Sequence, residues 1–271
     1  MLTIYRKELL SFFGSLLGYL VIGFFLFLNG LFLFVLEGPY NIPNSGYADV
    51  TPFFTLTPWV LLFLIPAITM RMVSEERKLG TLEILFTKPI SVFDLIVGKW
   101  LAAITLIIVA LIPTLVYVFI VQSHIQASST FDWGSTLGSY FGVLFLASAY
   151  SAIGIFTSSF TSNQLISYIF SIAICFSLFS IFEVVSNYLN SIEQNKLIEL
   201  DNNMNIFRKF GNLIVMILQK NDHIISYIGM ESHYKSISRG VIDTRDLIYF
   251  MSVTAIFWLF THAKITQLKN Q

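Results

Sequence analysis

The chain has 271 residues, of which 55% are hydrophobic and only 12% charged, with 16 Lys and Arg balancing 16 Asp and Glu. Soluble domains carry about 25% charged residues, and here the 32 charges are excluded from five long windows: 9–36, 50–70, 100–131, 133–182 and 247–263. No soluble helix can leave every face unwetted over such lengths, so the composition excludes a soluble fold and predicts an integral membrane protein.

The windows do not alternate as barrel strands would, and a spanning helix needs about 20 mostly apolar residues. The fold expected is therefore all-α and polytopic, a single transmembrane domain over 1–271 with six spans near 16–36, 52–72, 99–121, 136–158, 164–182 and 246–262. In chain order, 3–13 mixes Arg6, Lys7 and Glu8 with apolar residues and reads as an interfacial helix or as a simple flank of the first span. That span is too long for a signal-peptide core and no Ala-x-Ala-like site follows it, so it is expected to be retained. Pro66 and Pro113 remove backbone donors within the second and third spans and predict kinks there.

Between those spans, Arg71 to Lys99 gathers nine charges in 29 residues. The second span is expected to continue through Lys78 and stop at Gly80, where a left-handed residue is needed. Thr81 would cap a short helix, Leu82 to Thr87, ended by Pro89, and Ser91 with Asp94 would open the next helix. Trp100 would sit at headgroup level. A helix set crosswise in a loop over 74–98 can present Leu82, Leu85 and Phe86 to a groove on a soluble partner, with Glu75, Glu76, Arg77 and Glu83 supplying charge. An unremarkable solvated turn is the other reading.

The fourth span is rich in small residues, and Gly138, Gly142 and Gly154 predict close helix packing. Thr157 to Gln164 is a polar break that divides the longest charge-free window into two spans. Cys175, the single cysteine, excludes an intramolecular disulfide. The segment 183–245 is too polar for two more spans. Its run Phe210 to Leu218 suits an amphipathic or re-entrant helix, and Arg239, Asp243, Arg245 and Asp246, beside Gly240, could form an ion-pair cluster. Glu37, Glu183 and Asp246 fall at outer ends of spans, where water is expected to reach them, and no ionisable group falls mid-span, which argues against coupling to an ion gradient.

Orientation follows from Lys and Arg in the connections. With both termini in the cytoplasm, the inner segments carry nine basic residues and the two short outer loops carry none, the asymmetry of the positive-inside rule. The seven basic residues of 183–245 do not weigh against it, because segments longer than about 60 residues translocate largely regardless of charge. The chain has no Gly-x-x-x-x-Gly-Lys-Ser/Thr loop to cradle a nucleotide, no Gly-x-Ser-x-Gly elbow, no metal-ligand spacing among its four histidines and no basic patch for nucleic acid. An enzyme is not expected.

The run Glu75-Glu76-Arg77-Lys78-Leu79-Gly80-Thr81-Leu82-Glu83-Ile84-Leu85, followed by Pro89-Ile90-Ser91 and Gly98-Lys99, resembles the signature between the second and third spans of ABC-2-type exporter permeases. Within them it looks most like the gliding-motility permeases, through this loop, the outer loop 38–43 and the stretch 238–250, and permeases for nitrous-oxide-reductase maturation look similar. The resemblance covers essentially the whole chain. It implies a multi-pass protein of the bacterial inner membrane whose loop forms the coupling helix docked on a separate ABC ATPase subunit, which would hold the ATP and Mg; this chain itself would bind no cofactor. It implies a second permease-like subunit in a homodimer or heterodimer, in gliding systems one with a large periplasmic domain. The alternative is a structural anchor of a gliding or secretion machine that performs no transport.

Overall fold

The computed structural model describes residues 1–45, 49–124, 131–186, 227–240 and 243–270. Phe210 to Leu218 lies outside the described residues. The described residues hold helices and no strand. The helices are α1 (Leu2–Phe13), α2 (Leu16–Gly30), α3 (Thr51–Lys78), α4 (Thr81–Phe86), α5 (Val92–Leu111), α6 (Leu115–Ser123), α7 (Trp133–Phe160), α8 (Gln164–Phe176), α9 (Met230–Ile237) and α10 (Thr244–Lys269). π-helical turns extend α2 over Leu31–Val35 and α8 over Ser177–Ile181.

Among the described residues, six helical segments are long and apolar enough to cross a bilayer: Leu16–Val35, Thr51–Lys78, Val92–Ser123, Trp133–Phe160, Gln164–Ser186 and Thr244–Lys269. Two of them form the core. The most apolar windows of α3 and α7 are each 72% buried, against 22–39% for the other four, so α3 and α7 pack centrally and the rest keep apolar flanks exposed outside the bundle. The close approach of the central pair rests on Gly154, where a Cβ would lie 1.9 Å from Thr69 Oγ1. One turn further, Ser158 Oγ accepts from the Val73 and Ser74 N–H groups, each at 3.0 Å, and donates to Met70 O at 2.9 Å. Small residues admit the neighbouring backbone, and a hydroxyl answers its polar groups, as helix packing in an apolar solvent requires.

The two prolines singled out by the sequence act differently. Pro113 interrupts the third span in a 3-10 turn, Ile112–Thr114, between α5 and α6. Pro66 lies within α3, which runs unbroken from Thr51 to Lys78. The polar break after α7 is capped as its residues suggest: Asn163 Oδ1 accepts from Leu165 N–H at 3.0 Å, starting α8.

Both termini and the α3–α4–α5 connection share one end of the bundle. The Met1 ammonium lies 3.6 Å from Asp94 at the head of α5, and Lys264 of α10 sits over the Phe160 ring at the foot of α7. At the opposite end α9 lies against α7. There Gly138 receives the turn after α9, since a Cβ would stand 2.8 Å from Ile237 O and 2.9 Å from Gly240 Cα. Ser135 and Ser139 donate to Ser238 O at 2.9 and 3.1 Å, and the buried Tyr234 hydroxyl donates to Phe54 O at 2.6 Å. Gly138 and Gly142 therefore seat α9 and the turn after it; it is Gly154 that brings two spans together.

Candidate functional site

The connection between α3 and α5 is built from local signals. α3 carries on past its apolar stretch to Lys78, and Gly80 reverses the chain at φ 68°, where a side chain would be strained. α4 then spans only Thr81–Phe86. Thr81 does not cap it as expected: Gly80 is the N-cap, and the Thr81 hydroxyl donates to Glu76 O at 3.2 Å, closing the end of α3. Ser91 is the cap of α5. Its Oγ accepts from Asp94 N–H at 3.0 Å and donates to Asp94 Oδ2 at 2.7 Å.

Within α4 the apolar residues divide. Leu82 is buried, so it anchors the helix to the bundle and is not offered to a partner as the sequence suggested. Leu85 and Phe86 are half-buried, while Leu79 and Ile84 are 66% and 62% exposed. Glu83, Lys78, Thr87, Lys88 and Pro89 are exposed around them. The outward face of the connection is therefore Leu79 and Ile84 within a polar rim.

Two of the charges expected to face a partner are engaged inside the chain. Glu76 is buried and belongs to an ion cluster that joins α1, α3 and α5. At its centre the fully buried Lys99 ammonium lies 2.7 Å from Glu8 Oε1 and 2.9 Å from Glu76 Oε2, and donates to Met72 O at 2.5 Å. Lys7 of α1 donates to Glu76 Oε1. Two carboxylates and two ammonium groups thus meet at one point, which is the arrangement that lets charge be buried at all. Arg77 reaches the end of α7, donating to Phe160 O at 2.8 Å and Ser159 O at 3.4 Å, where unpaired helix carbonyls favour a cation. Glu75 is half-buried. Lys99 stands in the Gly98-Lys99 pair of the sequence signature, but no local pattern joins it to Glu8 and Lys7, because the residues that meet are far apart in sequence.

α1 is tied to the base of this connection. Beyond the ion cluster, Arg71 lies 4.8 Å over the Phe12 ring, Tyr5 and Thr105 hydroxyls are 3.1 Å apart, and Gly98 faces Ile4 and the Met1 carbonyl, each 3.1 Å from where its Cβ would be.

At the other end of the bundle, Asp246 is buried rather than reached by water: its Oδ1 lies 2.6 Å from His233 Nδ1. The ring's Nε2 is 2.7 Å from Tyr227 O, and its face stacks on Tyr249 at 4.0 Å. Helix α9, absent from the span pattern, covers it. The expected ion-pair cluster does not form: among the described residues no ion pair joins Arg239 or Arg245 to Asp243 or Asp246. Asp243 instead caps α10 by accepting from Arg245 N–H at 2.9 Å, and Gly240 takes φ 85° in the turn before it.

The family model for ABC-2 family transporter proteins matches residues 36–262, which takes in five of the six spanning segments nearly whole, the α4 connection and α9. No curated protein matches the chain. With the match extending over well more than half of a six-span helical chain, this protein belongs to the ABC-2 family of transporter proteins, the multi-pass membrane subunits of ABC transporters.

Proposed function

We propose that this permease works as an exporter subunit in a bacterial inner membrane, driven by a separate ABC ATPase that binds ATP and Mg and docks on the connection around α4. The observation that carries the reading is the division of that connection: Leu82 is buried and fastens α4 to the bundle, while Leu79 and Ile84 stand exposed at its surface. An apolar pair with a polar rim is what a small groove on a soluble subunit recognises. The distribution of basic residues supports a cytoplasmic position for this end, the side where ATP is available. Closure of the ATPase would press on α4 and, through α3, α5 and the ion cluster, move the ends of the central helices.

A six-span subunit is half of a transporter, so a second permease-like chain, identical or related, completes it. The resemblance of 75–91 and 238–250 to gliding-motility permeases supports a place in such a machine, where the partner would carry a large periplasmic domain.

The reading is tested by labelling. In a Cys175→Ala background, Ile84→Cys is expected to react with a membrane-impermeant maleimide in inverted vesicles and not in intact cells, and to be protected when the ATPase subunit is co-expressed. Reaction from the outer face of intact cells, or reactivity indifferent to the ATPase subunit, would overturn it.

A further inference from the structure

At the end of the bundle opposite α4, a cavity of about 400 Å³ opens between α3, α7, α9 and the π-helical turn after α8. This volume is within the roughly 300–1,000 Å³ typical of small-molecule sites. Its walls are aromatic: Phe54, Trp59, Phe131 and Phe179, with the Trp59 and Phe179 rings edge to face at 5.5 Å.

The charged groups on the cavity are unbalanced. Among the described residues, Asp49, Asp132 and Glu231 line it against one ammonium, Lys235. That ammonium is already taken, by Glu231 at 2.9 Å and by Glu183 at 2.6 Å. The two aspartates are held in place by the helices they precede: Asp49 Oδ1 accepts from Thr51 N–H at 3.0 Å and Asp132 Oδ1 from Ser135 N–H at 3.1 Å. The starts of α3 and α7 contribute about half a positive charge each, too little to offset the carboxylates. Burial and the neighbouring Glu183 raise the Glu231 carboxyl above the ordinary carboxylate range, against the pull of Lys235.

We propose that this cavity is a binding site for a small organic ammonium ion with an apolar or aromatic body. A cation within reach of aromatic ring faces is attracted by their quadrupoles, and the carboxylates at the rim reject an anion of the same shape. The site lies within one subunit and does not depend on the ATPase reading, so it can be tested on the purified chain alone.

The probe is benzyltrimethylammonium, with benzylsulfonate as the anion of similar shape, titrated against the detergent-purified protein by calorimetry and by tryptophan fluorescence. Saturable binding of the cation and none of the anion is expected. Asp132→Asn keeps a side chain able to cap α7, and Glu231→Gln keeps the shape of α9's rim; each is expected to weaken binding about tenfold, or about 1.4 kcal/mol. Trp59→Phe should remove most of the fluorescence change while calorimetric binding persists. Equal binding of cation and anion by the wild type, or unchanged affinity in both carboxylate variants, would overturn the proposal, and the first comparison needs no variant to fold.

Discussion

Lys99→Met is expected to destabilise the protein by about 3–5 kcal/mol, because it removes one partner of a buried ion set and leaves the other charged. Lys99 is fully buried, and Glu8 and Glu76, which it holds at 2.7 and 2.9 Å, are themselves nearly covered. With the ammonium gone, Lys7 remains as the basic partner of Glu76 among the described residues, and the ionic ties that Lys99 makes from α5 to α1 and α3 are lost. The thermal midpoint in detergent, followed by size-exclusion recovery after heating, measures this. Replacing the three buried members together, as Glu8→Gln, Glu76→Gln and Lys99→Met, with the half-exposed Lys7 left in place, should return much of the loss, since no buried charge then stands without its partner. An unchanged midpoint for Lys99→Met alone would show that the cluster is not closed to water.

The second large effect is expected at the centre of the bundle. Gly154→Ala would place its new methyl 1.9 Å from Thr69 Oγ1 and 2.8 Å from Thr69 Cβ, separations that non-bonded atoms do not tolerate; turning Thr69 relieves only the first, so α3 and α7 must part. Overpacking of this kind costs about 1–3 kcal/mol. Thr69 donates to the Ile65 carbonyl of its own helix at 2.9 Å, a bond whose loss matters less than the clash. Thr69→Ala combined with Gly154→Ala removes the 1.9 Å contact but leaves the Thr69 Cβ at 2.8 Å, so it should recover part of the stability, giving a coupling energy of the sign expected for contacting residues. Additive losses in the double variant would mean that the two side chains do not meet.

Both cases show which features could be read before the fold was known. Gly80 and Ser91 were legible because a left-handed turn and an N-cap are decided within three or four residues. The six spans were legible because lipid permits no wet face. The Lys99 cluster was not, since its members lie on three helices, with Glu8 and Lys99 91 positions apart. Glu76 was accordingly assigned to a partner when it serves the interior. The pair Gly138 and Gly142 announced a close approach without naming what approaches, and the occupant is the α9 turn rather than another span. For α4, a helix of six residues has no periodicity long enough to say which face turns inward; the end of α3 decides that, burying Leu82 and exposing Ile84. Asp246 looked wet from its place at a span's end, and α9 covers it.

These placements change which substitutions can probe coupling. Glu76→Ala would disturb the ion cluster and report on folding, and Leu82 variants would loosen α4 itself. Leu79 and Ile84 are free of both objections, because their side chains stand mostly outside the bundle. Substitution there should alter what docks without altering what folds.

The most direct measurement is ATP turnover by the candidate ATPase subunit reconstituted with this permease in lipid nanodiscs. The docking account expects the wild-type permease to stimulate turnover, and expects Leu79→Asp and Ile84→Asp each to abolish that stimulation with the permease's own thermal midpoint unchanged. Full stimulation by both variants would contradict it.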